Sequence, residues 1–339
     1  MSHLPFIYPE LYLWQWCTDG DLLQVQSLTS DLSQIDLNWQ DPELSRTSLY
    51  RACGHGHTSI VQHLLKFASV DVNLQQSEGA TPLNIACQHN HVEIVKMLLA
   101  DRRIDVNLPN SDGASPLFIV CQNGFCDLVE LLVRDDRVDV NQGDHELCSP
   151  LWISSQNGHL LAVQMLLASG REIDRTGTSV AGGAEWKNKT ALQVASWASF
   201  STKWSYETEK DLKRRGLQCP QIVLLLTADE KDFVATRHQL RQLPAVRGPY
   251  AGELLALVVF LADSFARLKT DEEITGFAVT SPPDTTAQAR RFFVITNTLP
   301  LELQMLLCNR VFRSPRDVVL TKNSEPAFRK LGKSSTWAF

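Results

Sequence analysis

The chain has 339 residues, 44% hydrophobic and 21% charged, a composition that excludes a disordered or collagen-like polymer. Its eight cysteines are too few for a disulfide scaffold, and its formal net charge of −6 argues against a nucleic-acid binder that works by overall basicity. The charge is uneven: residues 1–200 hold 12 Lys and Arg against 23 Asp and Glu (−11), residues 201–339 hold 20 against 15 (+5), and this asymmetry suggests two units.

Residues 1–10 are a lead-in. The stretch 1–16 has no basic region and carries Pro5 and Pro9, so it does not read as a signal peptide. The most apolar run, residues 254–262, is closed by Asp263 and is much shorter than the roughly 20 residues of a bilayer span. The expectation is an intracellular protein with reduced thiols, cytoplasmic, with entry to the nucleus left open because Lys213-Arg-Arg215 is too short to decide it.

From Thr47 the chain repeats itself. Thr47-Ser-Leu-Tyr-Arg-Ala-Cys-Gly-His-Gly-His57 returns as Thr81-Pro-Leu-Asn-Ile-Ala-Cys-Gln-His-Asn-His91, as Ser115-Pro-Leu-Phe-Ile-Val-Cys-Gln-Asn-Gly-Phe125 and as Ser149-Pro-Leu-Trp-Ile-Ser-Ser-Gln-Asn-Gly-His159, each start 34 residues after the last. A second block follows in phase: Ile60-Val-Gln-His-Leu-Leu65, Ile94-Val-Lys-Met-Leu-Leu99, Leu128-Val-Glu-Leu-Leu-Val133 and Ala162-Val-Gln-Met-Leu-Leu167. A third is Asp71-Val-Asn73, Asp105-Val-Asn107 and Asp139-Val-Asn141. The Ser or Thr predicts a helix N-cap, and the Pro after it sits where a missing N–H costs nothing. Leu83, Ala86 and Cys87 recur as a helical stripe, and Gly56, Gly124 and Gly158, with Asn90 in the second repeat, end the helix in the left-handed conformation. Between outer helix and third block the middle repeats lack a glycine and carry one residue more; a longer turn there does without a left-handed residue.

Three blocks in phase resemble the ankyrin repeat. The resemblance covers residues 11–228, about six repeats. Residues 11–29 fit an atypical first repeat, with Cys17 and Gly20 in phase and Ile35-Asp-Leu-Asn38 as its third block. After a long loop at 175–189, Thr190-Ala-Leu-Gln-Val-Ala-Ser196 restarts the pattern, and Cys219-Pro-Gln-Ile-Val-Leu-Leu-Leu226 supplies its second helix. The polar residues 201–216 read as an insertion between them, at about 200–217. The implied fold is all-α with short hairpin-like turns: an ankyrin solenoid followed, over 229–339, by a small helical domain or cap.

That last region shows no repeat. Helices are predicted over 230–242, 250–268, 286–298, 301–312 and 325–331. Leu299-Pro-Leu-Glu-Leu-Gln-Met-Leu-Leu307 is similar to the opening of an F-box, though Leu-Pro-x-Glu also describes any helix with Pro in its first turn.

No Walker loop, zincin motif, nucleophile elbow or dinucleotide fingerprint is present. Cys17, Cys53, Cys87 and Cys121 fall one per repeat, layers about 8–10 Å apart, too far for a shared metal or a disulfide, and read as small buried hydrophobes. His57, His91 and His159 stand where the family has a histidine tying turn to helix. A metal site at His55, His57, His89 and His91 is the weaker reading. Asp36, Asp71, Asp105 and Asp139 read as turn caps rather than an acidic site. Neither a catalytic constellation nor a cofactor is expected. An enzyme would need a site in the back region, around Glu272, Glu273, Arg290 and Arg291, which nothing in the spacing demands.

The resemblance implies a partner held by hairpin tips and first helices. By phase, the first-helix positions are His55, Gln88, His89, Gln122, Asn123, Gln156, Asn157 and Trp197, with the glutamines as a polar ladder suited to a peptide backbone. The tips add Glu43, Arg46, Glu78, Asp112, His145 and Glu146, and Trp186 lies in the long loop. Tyr50, Phe118 and Trp152 are either interface anchors or packed within their own repeat. The expected function is a monomeric, non-enzymatic module binding a basic or mixed-charge protein or peptide, neither nucleic acid nor membrane. The alternative is a ubiquitin-ligase substrate adaptor docking through residues 299–312.

Overall fold

The 34-residue period becomes a stack of helix pairs. A computed structural model describes residues 9–30, 35–180, 186–201, 207–241, 243 and 246. Its helices pair in chain order: α1 (Pro9–Asp19) with α2 (Leu22–Leu28), α3 (Ser48–His55) with α4 (Thr58–Leu64), α5 (Pro82–Gln88) with α6 (Val92–Ala100), α7 (Pro116–Asn123) with α8 (Cys126–Val133), α9 (Pro150–Gln156) with α10 (Leu160–Ala168), and α11 (Ala191–Phe200) with α12 (Glu209–Lys231); α13 (Phe233–Leu240) follows. The chain divides into two units, Met1–Phe233 and Val234–Phe339, and all six pairs belong to the first. Odd-numbered helices α1 to α11 lie one against the next as an inner layer, and even-numbered helices α2 to α12 as an outer layer. Among the described residues no strand forms.

The N-caps are as the sequence predicts. Thr47, Thr81, Ser115 and Ser149 each accept, through the side-chain oxygen, the N–H of the residue three positions on. Leu49, Leu83, Leu117 and Leu151 take equivalent places in successive layers, none more than 1% exposed. Burying such a side chain is worth about 1.5–3 kcal/mol. Cys17, Cys53, Cys87 and Cys121 are fully buried beside them, and burial pushes the thiol of Cys17 up to about 12 and those of the other three higher still.

Polar links join every layer to the next. The Asn of each third block bridges two repeats: Asn107 Nδ2 donates to the Arg137 carbonyl at 2.8 Å, and its Oδ1 accepts the Asp139 N–H at 2.7 Å. Asn38, Asn73 and Asn141 repeat this bridge. The preceding Asp of each block accepts the N–H of that same Asn, so Asp36, Asp71, Asp105 and Asp139 are turn caps. The turns after α4, α6 and α8 carry no positive φ, whereas the turn after α10 keeps Gly170 at φ 84°; the turns after α6, α8 and α10 carry arginines. Arg103 donates to the carbonyls of Leu65, Phe67, Ala68 and Val70 in the repeat before, Arg137 to Leu99, and Arg171 to Val133, Asp135 and Val138. The hydrogen bond from Arg103 holds the Asp101 carboxyl below its ordinary range.

Histidine makes the third link. Nε2 of His57, His91 and His159 lies 2.9–3.1 Å from the carbonyls of Thr18, Gly54 and Gln122. A carbonyl only accepts, so Nε2 carries the proton. This contact explains the glycine one repeat before each ring: a Cβ on Gly20, Gly56 or Gly124 would run into the ring of His57, His91 or His159.

The final pair departs from expectation. The polar residues from Glu209 onward are not an inserted loop but the start of α12, which runs through Pro220. Thr208 and Asp211 form a capping box. Arg215, 1% exposed, pairs with Glu207 through two bonds of 2.8 Å and also donates to the Ala198 carbonyl at the end of α11. Arg214 donates to the Asn157 carbonyl at 3.2 Å, and Gln218 accepts the Leu160 N–H. Polar composition suggested solvent, whereas these side chains satisfy helix ends of the neighbouring repeat. The helix expected over 230–242 is likewise broken at Asp232, where α12 ends. The other helices predicted beyond residue 246, the F-box-like segment 299–312 and Glu272, Glu273, Arg290 and Arg291 lie outside the described residues.

Two outcomes follow from these links. Arg215→Met breaks the buried ion pair with Glu207 and should lower urea-unfolding stability by about 3–5 kcal/mol, while Arg215→Met/Glu207→Met recovers most of the loss. Burial, aided by the nearby Arg214 charge, holds the His159 imidazole at about 4 against an ordinary 6.5. The unfolded chain therefore takes up a proton between pH 6.5 and 4 that the folded chain refuses, so stability falls as pH drops through that window. His159→Phe, mimicking Phe125 one repeat earlier, should flatten that part of a Tm-against-pH curve while costing about 1 kcal/mol at pH 7 for the lost hydrogen bond.

Candidate protein-binding groove

The hairpin tips join edge to edge. The carbonyls of Leu44, Glu78, Asp112 and Glu146 accept the N–H groups of Ser77, Ser111, His145 and Val180, each on the next tip. One residue after each accepting carbonyl the backbone turns left-handed: Ser45, Gly79, Gly113 and Leu147. The in-phase residue on the first tip is thus Leu44; Glu43 stands one position early and lies 3.8 Å from Arg46. Arg46 is itself committed. It bonds Asp41, holding that carboxyl well below its usual range against the opposing effect of burial, and lies 5.3 Å over the Trp14 ring.

Tips and inner helices enclose a groove of about 590 Å³ across the repeats of α5, α7 and α9, within the range of ligand sites. It brings together Gln88, Asp112, Gln122, Asn123, Glu146, Gln156 and Trp186 from the expected set. Asn110, Asp144, Phe118, Ile119, Trp152 and Ile153 also line it. Glu43, Arg46, His55, Glu78, His89, His145, Asn157 and Trp197 do not. His55 and His89 are exposed beside His57 and His91, ring centroids 5.9 and 6.1 Å apart. Among the described residues no three His, Cys, Asp or Glu are placed to hold a metal ion.

The glutamine ladder is uneven. Gln88 and Gln122 are exposed, but Gln156 is only 9% exposed; Cys219 of α12 packs at the end of α9, its Sγ 4.0 Å from the Gln156 backbone carbonyl. Asn123 donates to Ile119 in its own helix and Asn157 to the Gln122 carbonyl. Tyr50, Phe118 and Trp152 are all buried, so packing dominates there. Trp152 nevertheless borders the groove; its indole N–H donates to the Lys189 carbonyl at 2.8 Å. Its ring meets Trp186 edge-on at 6.2 Å, and Trp186 meets Trp197 at 4.3 Å, a chain of three indoles from α9 across the long loop to α11.

Asn110 and Asp144 were not anticipated. Their side-chain oxygens accept N–H groups across the tip, from Asp112 and Ala114 and from Glu146 and Cys148. The signal was present: Gln76, Asn110 and Asp144 stand 34 apart, and Gln76 accepts the Glu78 N–H in the same way.

Stacked helical hairpins with edge-joined tips define a repeat solenoid. The family model for ankyrin repeats (three copies) matches residues 13–110 and 102–177, and over these residues the chain belongs to the ankyrin-repeat family. Ankyrin repeats mediate protein–protein interaction and are typically non-enzymatic modules. No curated protein matches the chain. Among the described residues no helix is long and apolar enough to cross a membrane.

Leu147, like Ser45 on the first tip, is a non-glycine residue in the left-handed region. It holds φ 59° with its side chain 57% exposed, where the two preceding tips have Gly79 and Gly113. Leu147→Gly should stabilise the array by about 1 kcal/mol in urea unfolding, because a left-handed conformation costs a branched side chain about that much.

Proposed function

We propose that this chain is a non-enzymatic interaction module that holds a partner protein in the groove between its hairpin tips and the helices α5, α7 and α9. The observation that carries this reading is the groove itself. Its rim is amide and carboxylate, its floor is aromatic and aliphatic, and its walls are held in place by bonds between repeats. Amides at Gln88 and Gln122 both donate and accept, which suits a peptide backbone. The strained, exposed Leu147, next to Glu146 on the rim, supports the same reading, since a residue kept against local stability is the mark of a site used for something else. The acidic rim favours a basic or mixed-charge partner, chiefly through the association rate.

The test is quantitative affinity capture with the wild type, a groove variant (Gln88→Ala/Gln122→Ala/Asp112→Asn) and an outer-helix control (Glu93→Gln/Lys96→Gln). A groove partner should fall at least fivefold on the groove variant and stay within twofold on the control. If every captured protein ignores the groove variant, the reading is wrong.

A further inference from the structure

The solvent side of α12 breaks the pattern of the outer helices. Burial fixes its phase: Ile222 and Leu226 take the buried places of Ile60 and Leu64, of Ile94 and Leu98, of Leu128 and Leu132, and of Ala162 and Leu166. Leu224, midway between, therefore stands where the earlier outer helices carry Gln62, Lys96, Glu130 and Gln164. None of those four is buried, so the end of the array is not what bares Leu224; it is 72% exposed at a position that meets solvent in each of those repeats.

Leu217, two turns earlier, is 71% exposed, and Pro220 between them is exposed as well. A single surface leucine needs no explanation. These belong to a row. Lys210, Lys213, Leu217, Pro220, Leu224, Thr227 and Lys231 stand alternately three and four residues apart along α12, and all but Thr227 are exposed. The buried row of the same helix, Arg215, Cys219, Ile222, Leu226 and Asp229, runs along its other side. Alternation of three and four is the spacing with which one helix meets another lengthwise.

The ends of the exposed row indicate what covers it. Lys210 and Lys213 stand at one end and Lys231 at the other. Asp211 pairs with Arg214 and Asp229 with Arg175, and among the described residues none of the three lysines has an ion pair. Glu209 and Glu230 are exposed but lie off the row. A second copy of this chain docked through the same row would set lysine against lysine whether the helices ran parallel or antiparallel, and like charges facing each other cost several kcal/mol. A membrane surface asks for a broad apolar face, whereas this one is a single row. We infer that α12 docks an amphipathic helix of another protein lengthwise on its solvent side. That helix is apolar opposite Leu217, Pro220 and Leu224, and carries Asp or Glu opposite Lys210, Lys213 and Lys231. At 1.5 Å per residue the row is about 30 Å long, which asks for about six turns of partner helix. The site lies on the outer layer and does not rest on the groove.

The experiment uses the full chain and a displayed library of 28-residue helices, random at the positions of one heptad seam. Selected helices are then measured by fluorescence anisotropy. The expected consensus is apolar in its central layers and acidic at both ends. Leu217→Gln/Leu224→Gln should weaken binding at least tenfold. Lys213→Glu/Lys231→Glu should weaken it at least fivefold and turn the preference towards helices with lysine at their ends. Gln88→Ala/Gln122→Ala, in the groove, should stay within twofold of wild type. Leu224→Gln alone, copying Gln62 and Gln164, should leave Tm within about 2 °C, as expected of a side chain in solvent. The inference is overturned if no helix is selected, if the consensus lacks acidic ends, or if binding survives Leu217→Gln/Leu224→Gln. A fall in Tm of more than about 5 °C in Leu224→Gln would mean that the chain covers the row itself, which also overturns it. So would a wild-type dimer in sedimentation, or binding to phosphatidylserine vesicles, that Leu217→Gln/Leu224→Gln abolishes. Loss of the selected helices on Gln88→Ala/Gln122→Ala would move them to the groove, sinking this site and leaving the groove reading intact.

Discussion

A helical hairpin leaves one apolar face and several terminal carbonyls that it cannot cover by itself. In this array the next hairpin covers both, and the carbonyls decide the geometry. Leucines and cysteines in column could slide or rotate by a few degrees at little cost. The Asn bridges, the arginines in the turns after the outer helices and the histidine contacts cannot, because each needs its partner within about 3 Å and in line. Asn107 is the clearest case: one amide donates to and accepts from the adjoining repeat's backbone, so a shift in either direction breaks a bond. Apolar burial supplies the stabilisation of the stack, and polar links supply its register.

That division of labour bears on the groove. Most polar residues recurring with the period are consumed by the stack: the Asp and Asn of the third blocks, Asp101 and Arg103, His57 and His91, and Asn110 and Asp144 inside the tips. Residues that break the pattern lie along the groove or on its tips. Trp152 stands where an earlier repeat has Asn84, Trp186 lies in a loop with no counterpart, and Leu147 stands where two tips have glycine. A rigid frame keeps their geometry fixed before anything binds, which spares a partner the ordering cost that a flexible loop would impose.

The period made the fold legible. Caps, core positions and the left-handed glycines could all be read from residue type and phase, because each depends on its own repeat. The links between repeats were less visible. Arg103, Arg137 and Arg171 stand 34 apart, yet their partners are backbone carbonyls, which leave no trace in side-chain identity. The same limit governed the groove. Phase placed Gln88, Gln122 and Gln156 in one row, but whether a row is open depends on what packs beside it, and Gln156 is only 9% exposed.

The end of the array shows what replaces the pattern when it stops. Where earlier repeats have Ala-Cys or Val-Cys, α9 has Ser154 and Ser155, both fully buried; Ser154 bonds back to the Pro150 carbonyl, while the Ser155 hydroxyl has no hydrogen-bond partner. An unsatisfied buried hydroxyl costs about 1–3 kcal/mol. Opposite it stands the α12 extension, with Cys219 against the Ser155 carbonyl and the buried Arg215–Glu207 pair one turn earlier. Neither feature is what stability alone would choose, since apolar residues of similar volume serve as well or better. What the ion pair and its bonds to α11 do provide is a single docking angle for α12. Apolar contacts between α12 and the stack would be indifferent to a rotation that the fork of Arg215 forbids, and the position of α11, with Trp197 behind Trp186, depends on that angle.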